Sequence, residues 1–140
     1  MNYKVMYFTR TGISKKVAEK IAAKLGCELI QITDNMNWQG PIGFLKGGYY
    51  ASQNKTVGIK IHGNIDDVQE FIVVTPLWAG KVVPAIQTFL KTISLDKVHL
   101  VVTSNGSTLQ NRSGYKSVSD IVKRTKNEDD VINALTASLI

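Results

Sequence analysis

The apolar residues of this 140-residue chain follow two recurring patterns. Residues 3–9, 28–32, 70–76 and 98–103 contain short apolar runs with little polar alternation, strongest in Phe71-Ile72-Val73-Val74 and Leu100-Val101-Val102. Such runs suit parallel strands buried on both faces. Between them, apolar residues recur every three or four positions. Val17, Ala18, Ile21, Ala22 and Leu25 predict a helix over 14–25, with Lys15, Lys16, Glu19, Lys20 and Lys24 on its other faces. Gly26 stands where a left-handed C-cap belongs. Val83, Ile86, Phe89, Leu90 and Ile93 predict a helix over 83–93, with Pro84 in its first turn. A last helix begins at Asn127, where Asn127 and Asp130 resemble a capping pair. Its stripe is Val131, Ile132, Leu135 and Leu139.

Weaker patterns fill the gaps. Gly40, Gly43, Gly47 and Gly48 interrupt residues 33–56, yet Ile42, Leu45 and Tyr49 suggest a glycine-loosened helix near 41–53. Trp38, Tyr49 and Tyr50 lack a clear period; core is the first reading, with a dimer contact or the rim of a ligand site as the alternatives. Residues 57–61 read as a short extension, 70–76 as a strand ending at Pro76, and 118–123 as a short edge strand. Residues 108–117 are polar and carry no helical period. Buried strands alternating with amphipathic helices predict an α/β fold, a doubly wound parallel sheet with helices on both faces. The length fits one domain over 1–140.

Composition narrows the class. The chain is 44% apolar and 20% charged, as globular proteins are. No apolar run approaches the ~20 residues of a membrane helix, and the N-terminus lacks the form of a signal peptide. Cys27 is the one cysteine, so no internal disulfide forms and a reducing, cytoplasmic setting is expected. Cys27 reads as a packed thiol. His62 and His99 lack acidic or thiol companions, so no metal site is expected. The net charge is +6, but the lysines are scattered, which argues against a nucleic-acid face.

Three predicted strands run into polar, glycine-containing turns, after Thr9, Thr75 and Thr103. In a parallel sheet these ends share one edge, where ligands bind at the reversal of strand order. The first turn is richest. Thr9, Thr11 and Ser14 supply hydroxyls, Gly12 permits close backbone approach, and a helix then presents unpaired N–H groups. This combination suits an anion. A simple N-cap explains one hydroxyl, not three plus a glycine. Lys15 and Lys16 occupy the first helical turn, where the macrodipole disfavours cations by ~0.3–1 kcal/mol each. A bound dianion reverses the sign of that penalty. A receiver-type signalling domain shares the topology but needs clustered aspartates at strand ends, and the first and third strands here end in threonine.

The turn Thr9-Arg10-Thr11-Gly12-Ile13-Ser14, set between a strand and a helix, resembles the phosphate loop of the flavodoxin family. Thr75-Pro76-Leu77-Trp78-Ala79-Gly80, followed by Pro84 and a helix ending in Phe89-Leu90, is a second match. Thr103-Ser104-Asn105-Gly106 is a third. The resemblance implies a flavodoxin-like sheet of order 2-1-3-4-5 and FMN as cofactor. It places Thr9, Arg10, Thr11, Gly12, Ile13 and Ser14 at the phosphate. Pro76, Leu77, Trp78, Ala79 and Gly80 fall beside the ring, with Trp78 stacking on it and Ala79 and Gly80 at its N5 edge. Ser104, Asn105 and Gly106 fall at its pyrimidine end. Two features depart from the family pattern: Ile13 stands where a polar residue is common, and the fourth helix, sought within 108–126, is short or absent.

The implied activity is electron transfer, one or two electrons at a time, between redox partner proteins, acidic ones in view of the +6 charge. The same charge predicts a less negative flavin potential than acidic surroundings give. No residue is assigned a catalytic role and no metal, nucleic-acid or membrane partner is expected. Two alternatives stand beside the carrier: an FMN-dependent NAD(P)H quinone or nitro reductase, and a cofactor-free interaction module with the flavodoxin fold.

Overall fold

Each continuous apolar run feeds two cores at once. In β1 (Tyr3–Tyr7) of the computed structural model, which describes residues 2–140, Val5 and Tyr7 enter one hydrophobic cluster and Met6 the other. β4 (Glu70–Trp78) divides likewise, with Ile72 and Val74 on one side and Phe71 and Val73 on the other. Successive side chains of a strand point to opposite faces, so only an apolar run can fill both.

One cluster packs beneath α1 (Ile13–Leu25) and α4 (Glu128–Leu139), through Val17, Ile21, Ile132 and Leu135. The other packs beneath α3 (Pro84–Leu90), through Ile86 and Phe89. α2 (Gly40–Ser52) lies on that same side, on Trp38 and Trp78. Gly26 closes α1 with φ 63° and ψ 36°, the left-handed cap the sequence predicts.

The sheet is completed by β2 (Glu28–Asp34), β3 (Ile59–Ile61), β5 (Lys81–Val82), β6 (Val98–Ser104) and β7 (Ser117–Val122). Its path is β3-β2-β1-β4-β6-β7, with β5 paired to β4. The five parallel strands follow β2-β1-β4-β6-β7, which is the order 2-1-3-4-5 once the short strands are set aside.

Several expectations need correction. The sheet is mixed rather than purely parallel, because β3 runs antiparallel to β2 and β5 antiparallel to β4. β4 does not stop at Pro76. It continues to Trp78 and turns back through Ala79 and Gly80, whose φ values of 53° and 73° match the tight two-residue hairpin turn. The fourth helix in chain order, α4, is full length at 12 residues, and the crossover from β6 to β7 is the segment without a helix. The predicted capping pair at Asn127 is not formed. Its amide instead accepts from Val122 N–H (2.8 Å) and donates to the Asp120 carbonyl (3.0 Å), fastening α4 to the end of β7. α3 ends at Leu90, sooner than the predicted 93, where Lys91 and Thr92 N–H bond to the carbonyls three residues back. Among the described residues, no helix is long and apolar enough to cross a membrane.

Candidate functional site

Because β1, β4 and β6 are parallel, the turns that follow them emerge on one edge of the sheet. The turn after β1 is shaped by its own groups. Phe8 N–H still donates to the Val74 carbonyl (3.2 Å), so the chain leaves the sheet only at Thr9. The Thr9 hydroxyl accepts from Gly12 N–H at 2.8 Å. That bond folds the turn and sets Gly12 at φ 97°, a conformation that side chains rarely adopt. α1 then begins without a side-chain cap and without an acidic residue in its first turn. Its first intrahelical bond is Lys16 N–H to the Gly12 carbonyl (3.1 Å), which leaves the N–H groups of Ile13, Ser14 and Lys15 free of intrahelical partners.

The three hydroxyls have separate duties. Thr9 holds the turn. Ser14 is buried and shares a 2.9 Å hydrogen bond with the Thr103 hydroxyl at the end of β6, so it clamps α1 onto the sheet. Thr11 alone is exposed. Arg10 reaches sideways: its Nε donates to the Trp38 carbonyl (2.7 Å) and an Nη to the Gly40 carbonyl (3.3 Å). Gln39 returns a bond to the Arg10 carbonyl (3.4 Å). The guanidinium therefore anchors the turn to the start of α2. Ile13, the residue that departs from the family pattern, has a half-exposed side chain.

Around the second turn, Pro76, Leu77 and Trp78 lie within β4, each half-buried, and Ala79 at the tip is exposed. Trp78 stands edge-on to Phe8 (centroids 5.8 Å, 85°) and to Trp38 (5.2 Å, 65°). Gly47 of α2 presses against the same indole. Trp78 is thus packed in an aromatic cluster and remains half-buried. Gly80 is held by Gln110 N–H, which donates to its carbonyl (3.1 Å).

The third turn is fixed by Ser104, whose hydroxyl donates to the Ser107 carbonyl and accepts from its N–H. Arg124 N–H donates to the Asn105 carbonyl (3.0 Å), while Asn105 and Gly106 remain exposed. The three turns thus follow the C-terminal ends of parallel strands, each fastened by its own hydrogen bonds.

Sequence reasoning missed the neighbours of the first turn. Asp34 accepts from the Trp38 indole N–H (2.9 Å) and from Met36 N–H (3.0 Å). Together with Thr9, Arg10 and Gln39 they line a cavity of about 170 Å³. A larger cleft, about 410 Å³, lies beyond the hairpin and is lined by Lys81, Gln87, Lys91, Leu109, Gln110 and Tyr115, among others. The larger cleft had no sequence signal. Cys27 is half-buried, and burial pushes its thiol up, consistent with a packed residue.

A doubly wound sheet of this strand order with helices on both faces defines a class of fold. Solved structures share it. A flavoprotein from Lactobacillus acidophilus NCFM, in complex with FMN, superposes with a TM-score of 0.65 at 20% identity, over 93% of this chain and 97% of that one. A candidate flavoprotein from Bacteroides eggerthii gives 0.71 at 19% identity, over 99% and 98%. Another from Bacteroides uniformis gives 0.65 at 15%, over 93% and 97%. The chain therefore has a flavodoxin-like fold, the fold of these flavoproteins. No family model matches the sequence, and no curated protein does.

Proposed function

We propose that this protein binds FMN at the edge formed by the three turns and carries electrons between partner proteins. The observation that carries the reading is the start of α1: open N–H groups on Ile13, Ser14 and Lys15, Gly12 in a glycine conformation, no acid, and two lysines. That donor set fits a phosphate monoester. The fold likeness to a flavoprotein holding FMN supports the choice of nucleotide.

In this reading the first turn of α1 and the Thr11 hydroxyl bind the phosphate. Thr9 and Arg10 hold the turn in shape. Trp78, braced by Phe8 and Trp38, supplies an aromatic wall. Ala79, Gly80, Asn105 and Gly106 offer backbone groups to the ring. FMN, when bound, supplies the electron-transfer chemistry, and the chain supplies orientation and field. A carrier needs an accessible cofactor edge, and Ala79, Asn105 and Gly106 are exposed.

A second reading, an FMN-dependent reductase, draws on the 410 Å³ cleft beside the hairpin, which falls in the size range of small-molecule sites. Titration of FMN fluorescence with the purified protein tests both. Saturable quenching is expected, weakened about tenfold by Thr11→Ala and again by Trp78→Ala. Absence of quenching removes both flavin readings. Steady NAD(P)H oxidation with a quinone acceptor then selects the reductase over the carrier.

A further inference from the structure

Helix α2 is amphipathic in reverse. Its buried positions are Gly43, Gly47 and Ala51. A Cβ on Gly43 would stand 2.2 Å from the Trp38 carbonyl carbon, and one on Gly47 would stand 2.8 Å from the Trp78 ring. The helix backbone therefore lies directly on two tryptophans. The large apolar side chains point the other way. Ile42, Leu45 and Tyr49, spaced i, i+3 and i+7, are 81%, 70% and 55% exposed, and Phe44 beside them is 63% exposed. A surface helix ordinarily turns such residues inward. A cluster of them facing outward marks an interaction surface.

Cations stand along this patch. Arg10 lies over the Phe44 ring (5.9 Å to the centroid), Lys55 over Tyr49 (5.0 Å) and Lys46 over Trp38 (5.7 Å). Between Asp34 and Asp66 the chain has no acidic residue at all. A second copy would oppose these cations with its own, a juxtaposition that disfavours pairing. An anionic bilayer recruits denser basic clusters, of roughly four to eight Lys or Arg.

We propose that the outer face of α2 docks an acidic protein, whose apolar side chains cover Ile42, Leu45 and Tyr49 while its carboxylates meet Arg10, Lys46 and Lys55. The surface does not require FMN. Arg10 of the first turn bonds to the start of α2 and lies over the Phe44 ring, so the patch and the first turn share a residue.

The test uses the full chain and a labelled synthetic amphipathic helix, with leucines on one face and glutamates on the others, read by fluorescence anisotropy. The expected result is saturable binding that weakens with salt, against little binding of a peptide carrying lysines in place of the glutamates. The double variant Ile42→Gln/Leu45→Gln is expected to weaken binding by at least about tenfold, and Lys46→Glu/Lys55→Glu to shift preference toward the lysine peptide. The single variant Leu45→Gln gives the same comparison should the double variant fold poorly. FMN quenching by Ile42→Gln/Leu45→Gln is expected to match that of the parent. Equal binding of the two peptides, or variants that bind like the parent, would overturn the proposal. So would binding to phosphatidylserine vesicles with the same sensitivity, self-association abolished by the double variant, or loss of FMN binding in it.

Discussion

The two edges of the sheet handle polar groups in opposite ways. At the edge where the strands begin, charges are closed on one another. Glu70 and His99 are both nearly buried, and their side chains meet at 2.7 Å across β4 and β6. His99 also shares a hydrogen bond with Ser117 (2.9 Å), and the second Glu70 oxygen meets Lys116 at 2.9 Å. Lys4, alongside, is paired with Glu28. At the edge where the strands end, the first N–H groups of α1 lack intrahelical partners, Lys15 and Lys16 follow Ser14, and the first turn of the helix holds no acid. A buried charge without a partner is expensive, so the first edge is built for stability. At the second edge the first turn of α1 keeps N–H groups without intrahelical partners, although Asp34 and Asp120 nearby are paired.

The largest effect that separates the edges is expected from Glu70→Ala. Removing the buried Glu70 carboxylate leaves His99 and Lys116 without their acceptor, and we expect a loss of about 3 kcal/mol in stability, measured by urea unfolding. FMN affinity should be unchanged, because the edge is on the other side of the sheet. Weakened FMN binding in this variant would break the division of labour.

The pH dependence follows from the same cluster. Burial pushes the Glu70 carboxyl up, but hydrogen bonds from His99 and Lys116 and their charges outweigh burial, so it sits below the ordinary glutamate value. A depressed carboxyl contributes stability that is complete above the unfolded value, near 4.5, and is lost as pH falls through the folded one. Unfolding midpoints followed from pH 7 into acid should therefore fall more steeply for the parent than for Glu70→Gln. Parallel curves would remove Glu70 from the acid response.

At the opposite edge, Thr9→Ala is expected to act mainly on binding. It removes the acceptor for Gly12 N–H and loosens the turn. We expect a stability loss of about 1 kcal/mol and FMN binding weakened about tenfold. Ser14→Ala gives the contrast, because its hydroxyl is buried against Thr103. Its loss should fall on stability, at roughly 1–3 kcal/mol for the polar partner left behind.

The contrast between these two hydroxyls shows what the sequence could reveal. The parallel core of the sheet and the three turns were legible, because unbroken apolar runs alternate with helical stripes and polar turns follow the runs; the strand order came with the family resemblance, and the antiparallel β3 and β5 had no such signal. The duties of Thr9 and Ser14 were not, because Ser14 meets a residue 89 positions away. The hairpin at Ala79-Gly80 was hidden because β5 is two residues long and carries no pattern of its own. α2 was only loosely legible, since periodicity reasoning looks for large apolar residues on the inward face and finds glycines there. The Glu70–His99–Lys116 cluster draws on three separate segments and has no local signature.

The smallest effect is also the sharpest test of the open edge. Lys15 and Lys16 lie in the first turn of α1, where positive charge opposes the helix dipole. Without a ligand, Lys15→Gln and Lys16→Gln should each leave the protein equally stable or stabilise it, by up to ~0.3–1 kcal/mol. With FMN at saturating concentration the sign should reverse. The lysines then face a phosphate dianion, and their removal weakens binding, so the ligand-induced rise in unfolding midpoint shrinks. Added salt should erase both effects together, since both depend on exposed charge. A variant that is stabilised without ligand and loses part of its response to FMN ties the unfavourable charge to the phosphate. A variant that shows the first effect with an undiminished response leaves the lysines as ordinary solvated side chains and puts the phosphate elsewhere.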